Sequence, residues 1–144
     1  MPTIFSRIIA GELPGRFVWK DDRVVAFLSI APMMPGHTLV VPRAEVDHWI
    51  DLDPDLAAHL FLVSQTIGKA QMAALSARRI GVMIVGDEVP HVHLHVVPMR
   101  GVHDLDFANA DADPDPAALD RAAASLREGL VAAGHSEADI ASPG

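Results

Sequence analysis

The chain has 144 residues and contains 19 acidic residues, 11 basic residues and 8 histidines, for a formal net charge of −8 with histidine neutral. This length suits one domain, and a hydrophobic fraction of 50% excludes wholesale disorder and fibrous structure. The absence of cysteine excludes disulfides and thiolate metal sites, and the acidic charge disfavours a nucleic-acid polymer or an anionic membrane surface as a partner.

The first forty residues predict a short helix followed by three strands. Apolar residues that share one helical face over 4–9 predict the helix, with Thr3 as its N-cap. Two runs of β-branched and aromatic residues, 17–20 and 24–30, flank an acidic turn and predict a hairpin. Residues 37–41 supply the third strand.

The middle of the chain predicts a long helix and two further strands. Asp53 followed by proline is a typical helix start, and apolar residues repeat at helical spacing over about 55–76. Residues 79–85 and 93–99 are predicted to form strands, separated by a turn that contains Gly86.

The C-terminal part combines an acidic loop with one more helix. Residues 104–115 are rich in aspartate and predict a solvated loop. A second Asp-Pro pair at Asp115 predicts a helix start, and Gly134 predicts the end of that helix. The last ten residues are expected to be frayed. The order of elements predicts an α+β fold: a mainly antiparallel five-stranded sheet, one long and one short helix packed on it, and a C-terminal helix.

The sequence contains no recognisable secretory or membrane segment. Arg7 and Glu12 interrupt the apolar run that a signal peptide needs. The uncharged stretch 24–42 is broken by prolines and predicts two buried strands rather than a membrane helix. We therefore expect a cytoplasmic protein that binds no membrane.

Four of the eight histidines lie between His91 and His103, and three of them alternate with apolar residues. In a strand, His91, His93 and His95 would line one face while the valines and leucine between them face the core. Buried imidazoles without partners are costly, so the histidine face must meet solvent, a ligand or other polar groups.

Three interpretations of this face compete. The histidines are hydrogen-bonded surface residues, or two of them bind a metal, or one is a nucleophile that attacks phosphorus. A straight strand spreads the outer two residues too far for all three to bind one ion. A metal site would therefore use His91 and His93 with further ligands from His37, His103, Asp87 or Glu88.

The motif HVHLHVV at 91–97 resembles the hallmark of the histidine triad (HIT) family in every position. Further blocks at 3–15, 24–42 and 86–99 are similar to family sequences, so the resemblance covers about residues 3–100. It looks closest to the small nucleoside phosphoramidate hydrolases. The resemblance implies a HIT-like catalytic domain at 1–103, with 104–144 as an acidic loop and helix that extend the same domain.

The resemblance also implies roles for individual residues. His93 would attack a nucleotide to form a covalent nucleotidyl-histidine, while His91 and His95 would orient the phosphate or leaving group. Family members are commonly homodimers joined through the region that corresponds to about 55–85, and they usually need no catalytic metal or cofactor. The implied substrate-binding residues, for an AMP-like nucleotide, are Ile4, Phe5, Ile8, Phe27, Ser29, Ile30, His37 and Val89.

Two departures from the family pattern affect the predicted substrate. Ser29 replaces an aspartate that usually holds the ribose hydroxyls, so the charge-assisted hydrogen bond is lost. The turn at 86–89 is short and carries Asp87 and Glu88, which we expect to be solvated. These departures leave open an AMP-binding module with little or no catalysis. A dinucleoside polyphosphate hydrolase and a zinc-dependent hydrolase built on His91 and His93 are further alternatives.

Overall fold

A computed structural model of the chain describes residues 2–141, apart from the side chain of residue 140. Apart from the last helix, the elements follow the predicted order: α1 (Ile4–Ile9), β1 (Phe17–Lys20), β2 (Val24–Leu28), β3 (Thr38–Pro42), α2 (Pro54–Ala74), β4 (Arg79–Ile84), β5 (Leu94–Met99), α3 (Pro116–Ala132) and α4 (Ser136–Ala141). Single 3-10 turns lie at Trp49–Asp51, Val102–Asp104 and Phe107–Asn109. The predicted α+β class is confirmed.

The five strands form one sheet in the order β1-β2-β3-β5-β4, and every neighbouring pair is antiparallel. Strand β5 therefore lies inside the sheet, between β3 and β4. In this register Leu39 of β3 and Met83 of β4 both lie opposite His95. The last histidine of the triad thus projects from an interior strand.

One face of the sheet carries the main hydrophobic core. Helices α2 and α3 pack there, and their buried residues include Leu60, Ile67 and Leu126. The apolar residues of the triad segment belong to this core, as the alternation predicts: Val92, Leu94 and Val96 are at most 3% exposed. No helix within residues 2–141 is long and apolar enough to cross a membrane.

The opposite face carries a smaller apolar cluster under α1. Thr3 caps this helix as predicted, since its side chain accepts a hydrogen bond from the Ser6 amide. The cluster contains buried residues from α1, β2 and β3: Phe5, Val25, Phe27, Leu39 and Val41. The triad histidines are on this face.

Two predictions for the second half of the chain are wrong. The last ten residues are not all frayed, because residues 136–141 form α4, which packs against β1 and α3; residues 142–144 lie outside the described part. The acidic stretch 104–115 is not simply a solvated loop. The Asp111 amide donates to the Pro32 carbonyl at 3.0 Å, and Phe107 packs against the triad.

Candidate functional site

The triad histidines are buried rather than displayed on a surface. His91 is 0% exposed, and His93 and His95 are each 7% exposed. His37, the histidine predicted to lie beside the triad, is 2% exposed. The interpretation as surface histidines on an exposed strand face is therefore wrong, and the polar atoms of these rings need partners inside the protein.

His93 has a hydrogen-bond partner at one ring nitrogen and none at the other within residues 2–141. Its Nδ1 lies 2.7 Å from the main-chain oxygen of His91. A carbonyl oxygen only accepts, so Nδ1 carries the hydrogen and the neutral ring has its lone pair on Nε2. Burial lowers the pKa of His93, and the hydrogen bond to the carbonyl offsets this effect only in part. At neutral pH the Nε2 atom is therefore unprotonated, the state in which an imidazole can act as a nucleophile.

His91 is engaged at both ring nitrogens. Its Nε2 donates to the Pro42 carbonyl at 2.8 Å, and its Nδ1 lies 2.7 Å from the Thr3 hydroxyl. A zinc site built on His91 and His93 would have to break one of these bonds. Among residues 2–141, no three His, Cys, Asp or Glu side chains are arranged to hold a metal ion. The residues present therefore do not fit the zinc alternative.

His37 fixes the tautomer of His95. The Met33 amide donates to Nδ1 of His37 at 3.1 Å, so the proton of the neutral His37 ring is on Nε2. That Nε2 lies 3.0 Å from Nδ1 of His95 and donates to it. His95 consequently carries its own proton on Nε2, as a fixed hydrogen-bond donor.

Both members of this pair are held uncharged. Burial, followed by the nearby His93 ring, lowers the pKa of His37 to about 4. Burial, followed by the neighbouring His37 and His93 rings, lowers the pKa of His95 to about 3. The hydrogen-bond directions are therefore preserved at neutral pH.

Besides His37, which contacts His95, four of the predicted substrate-binding residues come together beside the triad. Phe5 packs edge-on to His93, with ring centroids 4.8 Å apart, and contacts Phe27 at 5.8 Å. Ile8 and Val89 pack against the same cluster. Together they form an apolar wall next to the nucleophile.

The other predicted contacts are more peripheral. Ile4 and Ile30 are 46% and 70% exposed and do not belong to this cluster. Ser29 is half-buried, two residues after Phe27, and its Oγ accepts from the Ala31 amide at 3.2 Å. Its hydroxyl hydrogen remains available to a ligand.

The chain after β5 adds a residue that the sequence did not single out. Phe107 packs edge-on to His95 with ring centroids 5.2 Å apart. The segment that carries it lies close to β4, since a Cβ atom at Gly81 would be 2.7 Å from a methyl carbon of Leu105. The sequence feature that could have identified Phe107 is a lone phenylalanine within an aspartate-rich stretch.

A small cavity of about 40 Å³ lies on another side of His93. Its lining includes Asp47, His48, Trp49 and Gly86. His48 and Trp49 are exposed, as predicted, but they also border the triad through this cavity. Asp87 and Glu88 are exposed, in agreement with the expectation that they are solvated, and His103 is 82% exposed at its side chain.

Comparisons with known proteins identify the family and the fold. The chain matches the HIT domain over residues 10–102. An uncharacterised HIT-like protein of Mycobacterium tuberculosis is 36% identical over 139 residues, which cover 91% of this chain and 94% of that protein. A zinc-bound histidine triad family protein of Mycobacterium smegmatis has a TM-score of 0.78 at 30% identity, over 90% of this chain and 94% of its own. A HIT family hydrolase of Legionella pneumophila has a TM-score of 0.59 at 29% identity, over 69% and 95%.

Proposed function

Because the chain belongs to the HIT domain family, we propose that it is a nucleotide-binding hydrolase with His93 as its nucleophile. Its substrate is a nucleoside phosphoramidate or a related nucleotide, cleaved at the α-phosphorus. One observation carries this proposal: of the four buried histidines, only His93 has an unprotonated ring nitrogen without a hydrogen-bond partner among the described residues. The hydrolase among the structural neighbours supports the same class of activity.

In the first step, Nε2 of His93 bonds to the α-phosphorus and the bond from phosphorus to the leaving group breaks. The leaving amine takes a proton from solvent. The substituted imidazole is then cationic, and its Nδ1–H points at the His91 carbonyl at 2.7 Å. That hydrogen bond becomes charge-assisted as the positive charge develops, which favours the intermediate.

In the second step, a water molecule attacks phosphorus and the bond between phosphorus and Nε2 breaks. The water loses a proton to solvent, the nucleoside monophosphate leaves, and His93 is neutral again. His95 contributes a fixed Nε2–H donor that can stabilise a phosphate oxygen in both steps. The base and ribose are proposed to lie against Phe5, Phe27 and Ser29, where the wall is apolar and one hydroxyl is available.

The direct test is hydrolysis of adenosine phosphoramidate and of a dinucleoside polyphosphate, followed as release of AMP by chromatography. His93→Ala is expected to lose at least about a thousandfold in kcat, because the nucleophile is removed. His103→Ala removes an exposed histidine and serves as the matched control, with expected activity within about twofold of wild type. Equal rates for wild type and His93→Ala on every substrate would contradict the proposal.

Ser29 and the short acidic turn favour one second candidate, an AMP-binding module with little or no catalysis. Ser29 offers the ribose a neutral hydroxyl in place of a carboxylate. Asp87 and Glu88 directly follow Gly86, which lines the cavity beside His93, and they add negative charge to that turn. Calorimetric binding of AMP without turnover would select this candidate. The absence of AMP binding would exclude both candidates.

We also infer that two copies of the chain associate through β4 and α2. Strand β4 is an edge of the sheet, and its Val82 and Ile84 are 43% and 38% exposed. On α2, Gly68 packs against Ile80 of β4. Phe61 lies seven residues before Gly68 and Met72 lies four residues after it, so both are on that side of the helix. They are 62% and 47% exposed. A second copy would cover this apolar surface and the strand edge.

The oligomeric state tests this inference. Wild type is expected to sediment as a dimer in analytical ultracentrifugation, and Phe61→Asp is expected to shift the population to monomer. Val131→Asp places the same charge at an exposed apolar position on α3 and is the control, with the dimer retained. A monomeric wild type would contradict the inference.

A further inference from the structure

The N-terminal helix contacts the triad through a hydroxyl group. Thr3 Oγ1 lies 2.7 Å from Nδ1 of His91, although the two residues are 88 positions apart in the sequence. The same oxygen accepts the Ser6 amide at 3.1 Å as the N-cap of α1. The Thr3 side chain thus caps the start of α1 and also contacts a buried histidine of the site.

Glu45, in the loop after β3, holds Thr3 in place. Its Oε1 accepts from the Thr3 amide at 2.7 Å and from the Ser6 hydroxyl at 2.8 Å. In an ordinary capping box, a glutamate at the third helical position accepts from the N-cap amide. Here that position is Ser6, and the carboxylate comes from 42 residues beyond Thr3. These hydrogen bonds, first of all the one from the Thr3 amide, lower the pKa of Glu45 and keep it ionised.

The hydrogen bonds define which atom donates at each contact. The Pro42 carbonyl only accepts, so Nε2 of His91 carries a hydrogen, and Nδ1 of the neutral ring is an acceptor. The Ser6 hydroxyl uses its single hydrogen on Glu45. The Thr3 hydroxyl hydrogen has two acceptors within reach, the Ser6 hydroxyl oxygen at 3.3 Å and Nδ1 of His91 at 2.7 Å. We assign it to His91 because that contact is shorter.

We propose that Thr3 is a positioning residue of the site: its hydroxyl fixes the orientation of His91, and through the His91 carbonyl it fixes the orientation of His93. The link is short, because the carbonyl that accepts Nδ1–H of His93 belongs to the residue that Thr3 holds. The effect of Thr3 on the rate of hydrolysis rests on the proposed function. Valine at this position would match the shape of threonine but would donate nothing and would cap the helix poorly.

The test compares Thr3→Val, Thr3→Ser and the control Thr66→Val, which removes a hydroxyl from α2 that bonds only to the Leu62 carbonyl among the described residues. The first readout is the ¹⁵N NMR spectrum of the imidazoles, which needs no substrate. Wild type, Thr3→Ser and Thr66→Val are expected to show His91 protonated at Nε2 and hydrogen-bonded at Nδ1. In Thr3→Val the Nδ1 resonance is expected to move to that of an acceptor without a donor.

The second readout is the hydrolysis of adenosine phosphoramidate. Thr3→Val is expected to lose about tenfold in kcat with KM within about twofold, since reacting groups are misaligned while the nucleoside wall is intact. Thr3→Ser is expected to restore most of kcat. If Thr3→Val does not fold, Glu45→Gln replaces it, with a smaller change in the same two readouts expected.

Unchanged His91 resonances in Thr3→Val, or in Glu45→Gln where it stands in, would overturn the positioning role. A changed spectrum with an unchanged kcat would overturn its link to His93. If wild type itself hydrolyses nothing, the proposed function fails, while the NMR comparison still decides whether Thr3 holds His91.

Discussion

The two faces of the sheet are similarly shielded from solvent, but they differ in the polarity of their buried side chains. On the face covered by α2 and α3, strands and helices meet mainly through apolar side chains, and Val96 and Ile67 are fully buried. The buried Gln71 of α2 adds a polar contact, since its amide donates to the Val96 carbonyl at 2.9 Å. On the face under α1, four histidines are at most 7% exposed. The same segment supplies both faces, because apolar residues and histidines alternate along it. Its apolar half stabilises the fold, and its polar half stays buried only because ring nitrogens have specific partners.

The largest effect on stability is expected from the helix-covered face. Ile67→Ala removes a fully buried side chain and is expected to lower the free energy of unfolding by about 4 kcal/mol. The activity of the molecules that remain folded is expected to be unchanged. Urea unfolding at pH 7 measures the loss, with Val131→Ala, at a 45% exposed position, as the control. A loss below about 1 kcal/mol would contradict the assignment of the main core to this face.

The histidine face is expected to make stability depend on pH. The pKa values of His37 and His95 are lowered to about 4 and about 3, so below pH 6.5 the unfolded chain binds more protons than the folded chain. The contribution of these two histidines to the free energy of unfolding is therefore present above pH 6.5 and is lost as the pH falls. Between pH 7 and pH 5 the expected loss is about 4 kcal/mol for the pair.

His37→Gln removes one of these two titrating groups and is expected to reduce that loss by about half. His48→Gln removes an exposed histidine and is the control, with the wild-type pH dependence retained. Urea unfolding at the two pH values measures the effect. If the free energy of unfolding of His37→Gln falls between pH 7 and pH 5 as much as that of wild type, the buried pair does not cause the pH dependence.

The smallest effect concerns the proposed ribose position at the edge of the histidine face. Ser29→Asp replaces a hydroxyl by a carboxylate that can accept from ribose hydroxyls, and it is expected to tighten AMP binding about fivefold. Ser76→Asp adds the same charge at an exposed position and controls for the overall charge. Titration calorimetry measures both dissociation constants. Equal affinities would place the ribose away from Ser29.

Local sequence patterns predicted the helix-covered face well. Asp53 and Asp115 were predicted as helix starts from single dipeptides, and each accepts a hydrogen bond from the amide two residues later. The alternation at 91–97 predicted which residues enter the core. These features depend on neighbours within a few positions, which the sequence displays directly.

The histidine face was predicted only in part, because its contacts join distant segments. Phe5 and Phe27 were found through the family resemblance, but Thr3 was recognised only as a helix cap, and Phe107 was assigned to a solvated loop. Helix α4 was missed for a related reason. Its six residues are too few to form a stable helix alone, and it depends on packing against β1 and α3.

The central claim is that His93 becomes covalently bonded to the nucleotide. Rapid mixing of the protein with adenosine phosphoramidate, an alkaline quench and peptide mass spectrometry measure this directly. We expect an adenylyl adduct on the peptide that contains the triad, with fragmentation placing it on His93. Turnover without any adduct in this peptide, or an adduct on His91 or His95 instead, would contradict the account.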